Sequence, residues 1–431
     1  MKRKVILIII DGCRQDYLQI GGIDTIRQLM DEGACAQDCR TVFPSMTHPA
    51  HTSIVTGLYP SGHGILAHHY FDRRCGRLRD FLSYNKFSGN SIAELVKSAG
   101  GRVVSIDEFT ALGRGSDLYV NVPSHDPQEV AYWAVDAISR KSPDLLIMTF
   151  FDSDNIGTRY GPQSAEVKTC MRNIDDHIGT ILGKAKQCYK DDELLVVLTS
   201  DHGMASTGKC ILPDVRKMAQ ASLGDSTILA EGLYAQVYFD EIQARHIAEF
   251  AGIPGVDVML EDRELLALNC LNESIGDLVV SCKEGYNLIE QDGGGPQGLH
   301  GSLVDECMRV PLVLWGAGVV PGRMTFCEVV DIAPTIAHFM GIKYPHFDGR
   351  WLAECFTESL KITTDKVTGA VRELRLEYRT RIQIIREMMD VRKAEAEGRL
   401  SEKECSSIIG ESKQSLLKAV SEYERIKKPL K

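Results

Sequence analysis

No stretch of this 431-residue chain approaches the roughly 20 consecutive apolar residues a membrane-spanning helix needs. Nor is there a CxxC pair: thirteen cysteines, an odd number, are scattered without regular spacing, which argues against a disulfide scaffold and a zinc ribbon. Reduced thiols in a cytosolic protein fit that usage better. Basic excess is missing too. The formal charge of −10 leaves no basic footprint for non-specific nucleic-acid binding, though it does not exclude nucleotide substrates. The opening Met1-Lys2-Arg3-Lys4 and the apolar run behind it imitate a signal peptide. That run is only about six residues long, and Asp11, Arg14 and Asp16 end it with no small-residue cleavage site. The expectation is a soluble, unprocessed, cytoplasmic chain. With 44% hydrophobic and 25% charged residues it is globular in composition, and its length suggests two or three domains.

What is present alternates. Val5–Ile10 reads as a buried strand, followed by a helix near 25–32, a strand near 102–106 and a helix over 127–141. Two more buried strands, near 145–151 and 194–200, flank a helix over 165–187, and an apolar strand follows at 310–315. Strands alternating with helices imply an α/β fold with a mostly parallel sheet covered on both faces. The rhythm changes over 205–296, where segments at 234–239, 242–251, 256–260 and 278–281 suggest a small inserted α+β lid. Gly293-Gly294-Gly295-Pro296 closes it. The core is thus expected at 1–204 and 297–360, the lid at 205–296, and a helical hairpin at 361–431. In that hairpin Val367, Val371, Leu374, Tyr378, Ile382, Ile385 and Met389 recur at three- and four-residue steps. Gly398 interrupts the pattern, and Ser401 with Glu404 forms a capping box for a second helix. Packing onto the parent domain is the leading reading of the stripe, with a homodimer through these helices as its rival.

The chemistry gathers where the strands end. Asp11-Gly12 follows Val5–Ile10 at once, and Asp201-His202 closes the run Leu194–Leu198. Carboxylates and imidazoles are costly to bury unpaired, so two acid-bearing strand ends suggest a metal site on the carboxyl edge of a parallel sheet. Between them lies Val42–Ile65, VFPSMTHPAHTSIVTGLYPSGHGI, where hydroxyls stand beside imidazoles. A threonine hydroxyl is a weak nucleophile until a base or metal activates it, and a two-metal site supplies that activation in phosphoryl transfer. Several hydroxyls of the segment could serve, Ser45, Thr47, Thr52 and Ser53 among them. The ligand types stand in order: Asp11, the Thr/Ser segment, Asp154, Asp201-His202 and His300. Each alone has a bland alternative, a strand-ending turn for Asp11, a capping hydroxyl for Thr47, hydrogen-bonded core histidines for His202 and His300.

Taken together, these motifs resemble the alkaline phosphatase superfamily, in the branch of nucleotide pyrophosphatases/phosphodiesterases and phosphonoacetate hydrolase. The resemblance covers roughly residues 4–355: IIIDG at 8–12, Thr47 and HPAHTSIVTGLYPSGHGI, Asp154 with Tyr160-Gly161-Pro162, LTSDHGM at 198–204, GLHG at 298–301 and VVDIAPTIAHFMGI at 329–342. It implies a phospho-threonine intermediate on Thr47. Asp11, Asp201 and His202 would hold one divalent cation together with the Thr47 oxygen, and Asp154 and His300 the other. Zinc matches the donor set, with manganese or iron as alternatives. The implied substrate is a small phosphodiester, pyrophosphate or phosphonate. No Cys-x-Pro-x-Arg motif points to a dedicated sulfatase.

Two departures from the family pattern stand out. Where DxxGH is usual, the chain reads Asp154-Asn155-Ile156-Gly157-Thr158, and a neutral threonine is a poor zinc ligand. The second cation should bind more weakly or borrow Asp152, His48 or His51. Ala50 stands where the resemblance leads one to expect an asparagine holding a phosphoryl oxygen, and His68 occupies another position where relatives often place a substrate-facing asparagine. His51, His63 and His68 otherwise read as structural or supporting. The loop near 107–115 and the lid are expected to select the substrate. These losses, together with the appended hairpin, motivate a second reading, a weakened relative that binds a phosphorylated ligand; a phosphotransferase passing the phosphoryl group to an acceptor alcohol is a third.

Overall fold

Val5–Ile10 is buried along its whole length, so its alternating side chains need cover on both faces of a sheet. They get it. Val5, Leu7 and Ile9 pack with Leu145, Ile147, Leu195 and Val197 against Ile54, Val55, Ile92 and Ile336. Ile6, Ile8 and Ile10 pack with Leu146, Met148, Val196 and Leu198 against Ile26, Val130, Ile174 and Ile178 on the other face. The helices Thr47–Thr56, Ile92–Ser98 and Ile332–Met340 thus cover one side, and Asp24–Glu32, Pro127–Arg140 and Ala165–Cys188 the other. The computed structural model describes residues 2–81, 86–239, 244–290, 295–344, 346–357 and 364–430, the side chains of 244–247 and 364–365 apart.

Among the described residues the main sheet has eight strands, with Lys4–Ile10 between Leu145–Phe150 and Leu194–Thr199, parallel to both. Val103–Ile106 and Leu118–Val120 extend it in parallel on one side. On the other, Leu312–Gly316 runs antiparallel to Leu194–Thr199. The α/β fold with a mostly parallel, doubly covered sheet is as the alternation suggested. The run expected over 310–315 is split, because Pro311 offers no backbone donor: Arg309–Val310 pairs with Cys39–Arg40 instead.

Within 205–296, Thr227–Glu231, Tyr234–Tyr238, Val256–Leu260 and Leu278–Cys282 form a separate four-stranded antiparallel sheet. Helix Ala244–Ala251 packs on it; the expected start at Ile242, and Gly293-Gly294, lie outside the described residues. Helices Thr364–Ala396 and Glu402–Lys427 form the hairpin, and the Ser401/Glu404 capping box is present. Its stripe is used within the chain. Val367, Val371, Leu374 and Tyr378 pack with Phe326 and Tyr423, and Ile385 and Met389 are buried against the inserted sheet. Among the described residues no helix is long and apolar enough to cross a membrane.

Candidate metal centre and nucleophile

Three parallel strands end side by side and deliver their acids to one place. Asp11 follows Ile10, Asp154 lies in the first turn of the helix after Phe150, and Asp201 comes two residues after Thr199. Gly12 makes the close approach feasible: it adopts φ +68°, and a Cβ there would lie 2.9 Å from the Asp154 Cα. Its N–H donates to Asp201 Oδ1 at 3.1 Å.

Thr47 opens the helix Thr47–Thr56, and its Oγ1 lies 3.1 Å from His202 Nε2. The competing hydroxyls are committed elsewhere. Ser45 donates to the Ser302 carbonyl at 2.7 Å, Thr52 to the His48 carbonyl at 2.7 Å, and Ser53 pairs with His63 Nε2 at 2.9 Å. His202 Nδ1 bonds the Gly203 carbonyl at 2.9 Å and His300 Nδ1 the Ser45 carbonyl at 3.2 Å, so both rings turn Nε2 inward. The two rings stack with centroids 3.7 Å apart. His202 Nε2 stands 3.2 Å from Asp201 Oδ2 and 3.5 Å from Asp11 Oδ1, and His300 Nε2 is 3.7 Å from Asp154 Oδ1. All six residues named from the sequence therefore converge.

The convergence leaves charge unbalanced. Asp11 Oδ1, Asp154 Oδ1, Asp201 Oδ2 and His51 Nε2 are buried and take part in no hydrogen bond. Burial first, then Asp201 and Asp154, push the Asp11 carboxyl well above its usual range. Asp154 rises to about 6, burial and Asp201 outweighing the opposing His202. Asp201 moves down, because His202 and His51 overcome its burial. His300 is held well below its usual range by burial, His202 and His68. Carboxylate oxygens facing one another, with imidazole nitrogens turned toward them, are the donor types that divalent cations take. The ligand atoms fall into two groups, Asp11 with His51 and Asp201, and Asp154 with His202 and His300, each within 4.8 Å of one another. Both groups fit a zinc-type cation.

The borrowed-ligand expectations need correction. Burial and then Asp126 hold the Asp152 carboxyl above its usual range, with His125 opposing, and none of the acids or imidazoles of this cluster acts on it. His48 packs on His68 and Phe109, with ring centroids 4.5 and 4.6 Å away. His51 stands with Asp11 and Asp201, and the imidazole beside Asp154 and His300 is His202. Ala50 is buried in the hydrophobic core, so an asparagine there would point away from the acids. His68 is the group that reaches the site. Its backbone N–H is tied to Glu231 of the inserted sheet at 3.1 Å, and its Nε2 has no hydrogen-bond partner. Glu108, within the loop expected to select substrate, was missed as a supporting residue: it is fully buried and binds His51 Nδ1 at 2.6 Å. The signal was available, since Ile106-Asp107-Glu108 ends a strand in acids just as Ile10-Asp11 does.

A doubly covered α/β sheet with a Thr hydroxyl and two His/Asp groups on its carboxyl edge is an alkaline phosphatase-like hydrolase architecture. A family model described as type I phosphodiesterase / nucleotide pyrophosphatase matches residues 5–303. The chain belongs to that family, the nucleotide pyrophosphatase/phosphodiesterase branch of the alkaline phosphatase superfamily, and is a hydrolytic enzyme of that class. It is 27% identical over 373 residues to bis(5'-adenosyl)-triphosphatase enpp4 of Mus musculus, covering 80% of this chain and 78% of that one. It is 28% identical to ectonucleotide pyrophosphatase/phosphodiesterase family member 1 of Homo sapiens, over 48% of this chain and 24% of that longer protein. Among solved structures, murine ectonucleotide pyrophosphatase/phosphodiesterase 5 shares the fold at a TM-score of 0.70 and 18% identity, covering 80% of this chain and 97% of its own. An inactive variant of the same murine protein, in complex with AMP, matches equally well.

Proposed function

We propose that this protein hydrolyses small phosphodiesters or pyrophosphates, nucleotides foremost, through a phospho-threonine on Thr47 with two divalent cations, zinc by preference. The carrying observation is the Thr47 hydroxyl, 3.1 Å from His202 Nε2, with Asp11 Oδ1, Asp154 Oδ1 and Asp201 Oδ2 in the two ligand groups left without hydrogen-bond partners. Asp11, Thr47, Asp201 and His202, and Asp154 with His300, are the residues that would hold the cations. Bound there, they would supply positive charge to the attacking, leaving and non-bridging oxygens.

The chain's own part is orientation. Thr47 sits at the N-terminus of a ten-residue helix, where the dipole favours the developing alkoxide. Its Oγ forms a bond to phosphorus as the bond to the leaving oxygen breaks. Water then attacks the phospho-threonine, releasing the phosphoryl product and returning the hydroxyl. His68, whose ring nitrogen Nε2 has no hydrogen-bond partner, would donate to a non-bridging oxygen of the substrate. Names of relatives that specify an adenosyl triphosphate, and a fold neighbour binding AMP, support nucleotides as the class to try first.

The test is turnover of a chromogenic aryl phosphodiester and of diadenosine triphosphate by metal-stripped protein, titrated with zinc or manganese, beside Thr47→Ala. Metal-dependent turnover that vanishes in the variant is expected. Folded, metal-loaded protein that turns over no diester, monoester or phosphonate would overturn the reading and favour the binding of a phosphorylated ligand.

A further inference from the structure

The helix Thr364–Ala396 touches two different bodies. It has 33 residues, about 50 Å at 1.5 Å per residue, and its apolar stripe changes partner along that length. In its first half Val367, Val371, Leu374 and Tyr378 pack with Phe326 of the main α/β body, and Arg375 Nε reaches the buried Asp38 at 2.9 Å. Its second half lies on the inserted sheet. Ile385 shares a buried cluster with Val258, Leu260, Leu265 and Leu268, and Arg381 donates to the Ala267 carbonyl at 2.9 Å. Arg392 binds the Met259 carbonyl at 2.9 Å, Glu264 Oε1 at 3.0 Å and Glu261. Both arginines are buried. The second hairpin helix adds Lys413, 3.3 Å from Glu261 Oε2.

The inserted sheet in turn touches the site. The turn Glu231-Gly232-Leu233 joins Thr227–Glu231 to Tyr234–Tyr238, and the Leu233 N–H donates to the His300 carbonyl at 2.9 Å. Gly232 adopts φ +66°, and a Cβ there would lie 2.5 Å from that same oxygen. Glu231 accepts the His68 N–H at 3.1 Å with one oxygen and meets His69 Nδ1 at 2.5 Å with the other. Tyr234–Tyr238 pairs with Leu278–Cys282, which pairs with Val256–Leu260, the strand whose Met259 carbonyl Arg392 holds. One run of hydrogen bonds thus leads from the hairpin arginines to His68 and His300. A misplacement of about 1 Å at such a site can cost about 100-fold in rate, so whatever fixes this sheet also fixes how substrate is received.

We propose that the C-terminal hairpin is a brace that holds the inserted sheet, and through its Glu231–Leu233 turn His68 and His300, in register with the Thr47 edge, with Arg381 and Arg392 as positioning residues for substrate binding. The proposal rests on the hydrolase reading above. It is tested in the full-length protein with Arg392→Met combined with Glu264→Gln, which removes the buried attachment without leaving one charge alone. At saturating zinc the KM for a chromogenic aryl phosphodiester should rise on the order of 10-fold with kcat changed less than about 2-fold, because only molecules with the turn in place bind substrate. Zinc stoichiometry should stay at the wild-type value. Amide exchange in the peptide holding Leu233 should speed on the order of 10-fold, and that in Val5–Ile10 should not. Glu328→Gln is the control for lost stability alone: it weakens the hairpin at the main body, where the Phe326 cluster still holds it, and should leave KM unchanged. A wild-type KM in the folded double variant, or the same rise in KM in Glu328→Gln, would overturn the proposal. Should the double variant fail to fold, amide exchange of the wild type in sub-denaturing urea decides. The hairpin and the peptide around Leu233 are expected to open as one unit, and a hairpin that opens while Leu233 stays protected would overturn the brace. A wild type that turns over no phosphate ester would overturn the hydrolase reading, and the exchange measurements would then decide the brace by themselves.

Discussion

The sheet edge and the C-terminal hairpin both bury charge, and they do so in opposite ways. Under the hairpin, Glu328 is met by the Tyr59 hydroxyl at 2.9 Å, by Tyr423 and by Lys427 Nζ at 3.4 Å, and that lysine also reaches Tyr59 at 2.7 Å. Arg392 binds Glu264 at 3.0 Å, the Met259 carbonyl at 2.9 Å and Glu261. Every one of these charges has an opposite charge against it inside the chain. At the sheet edge Asp11, Asp154 and Asp201 face one another, and each keeps an oxygen with no hydrogen-bond partner. Paired burial marks a structural joint, whereas unpaired burial of like charges marks a place completed by something the chain does not contain. Three buried carboxylates would otherwise cost the fold several kcal/mol or more.

The largest expected effect breaks the chemistry alone: Thr47→Ala should lower turnover by about 10^4-fold or more while leaving the melting temperature of the metal-free protein nearly unchanged. Next comes the hairpin joint. Glu328→Gln leaves Lys427 buried without its anion and should destabilise the fold by about 3 kcal/mol in denaturant titration, with activity per folded molecule retained. Glu328 also sets a pH dependence. Burial alone would raise its carboxyl above the ordinary 4.5, but Lys427, Arg381 and the phenol hydrogen bonds bring it below. Its contribution is therefore complete above the unfolded value and lost as pH falls through the folded one, so acid unfolding should be steeper in the wild type than in Glu328→Gln. A smaller effect is expected from Thr158→His, which should tighten chelator-competed zinc binding at the Asp154 side on the order of 10-fold. The smallest sharpens the contrast in sign. Asp11→Asn should stabilise the metal-free protein by on the order of 1 kcal/mol by removing a buried like charge, and should abolish most of the stabilisation that zinc confers. Loss of stability in metal-free Asp11→Asn would show that the edge is internally satisfied after all.

Periodicity carried the core of the fold, because Val5–Ile10 and Leu194–Thr199 are buried on both faces and read as continuous apolar runs. The helix ends were legible where side-chain chemistry marks them, as at Ser401 and Glu404. Thr227–Glu231 escaped notice because it is half-buried and its alternation is weak, and helix Leu212–Leu223 because polar residues such as Arg216, Lys217 and Gln220 break up its apolar face. Asp11 and Asp201 were legible because each comes within two residues of a buried strand's end, whereas Asp154, inside a helix, was reached through the family resemblance. The part played by His51 was not legible, since one sequence carries no information on which of several neighbouring imidazoles points at which carboxylate. Glu108 lies 57 residues from its histidine, and only the sheet order brings them together. The competing use of the hairpin stripe was equally undecidable from spacing, because an apolar face looks the same whether its partner is this chain or a second copy.

Acid-quench of the wild-type protein during turnover of a slow phosphodiester, followed by peptide mass spectrometry, tests the central claim most directly. The predicted result is a transient phosphoryl group on the peptide bearing Thr47, present with zinc and absent after metal stripping. Efficient turnover with no phosphorylated Thr47 at any quench time, or with the label on another residue, would contradict it.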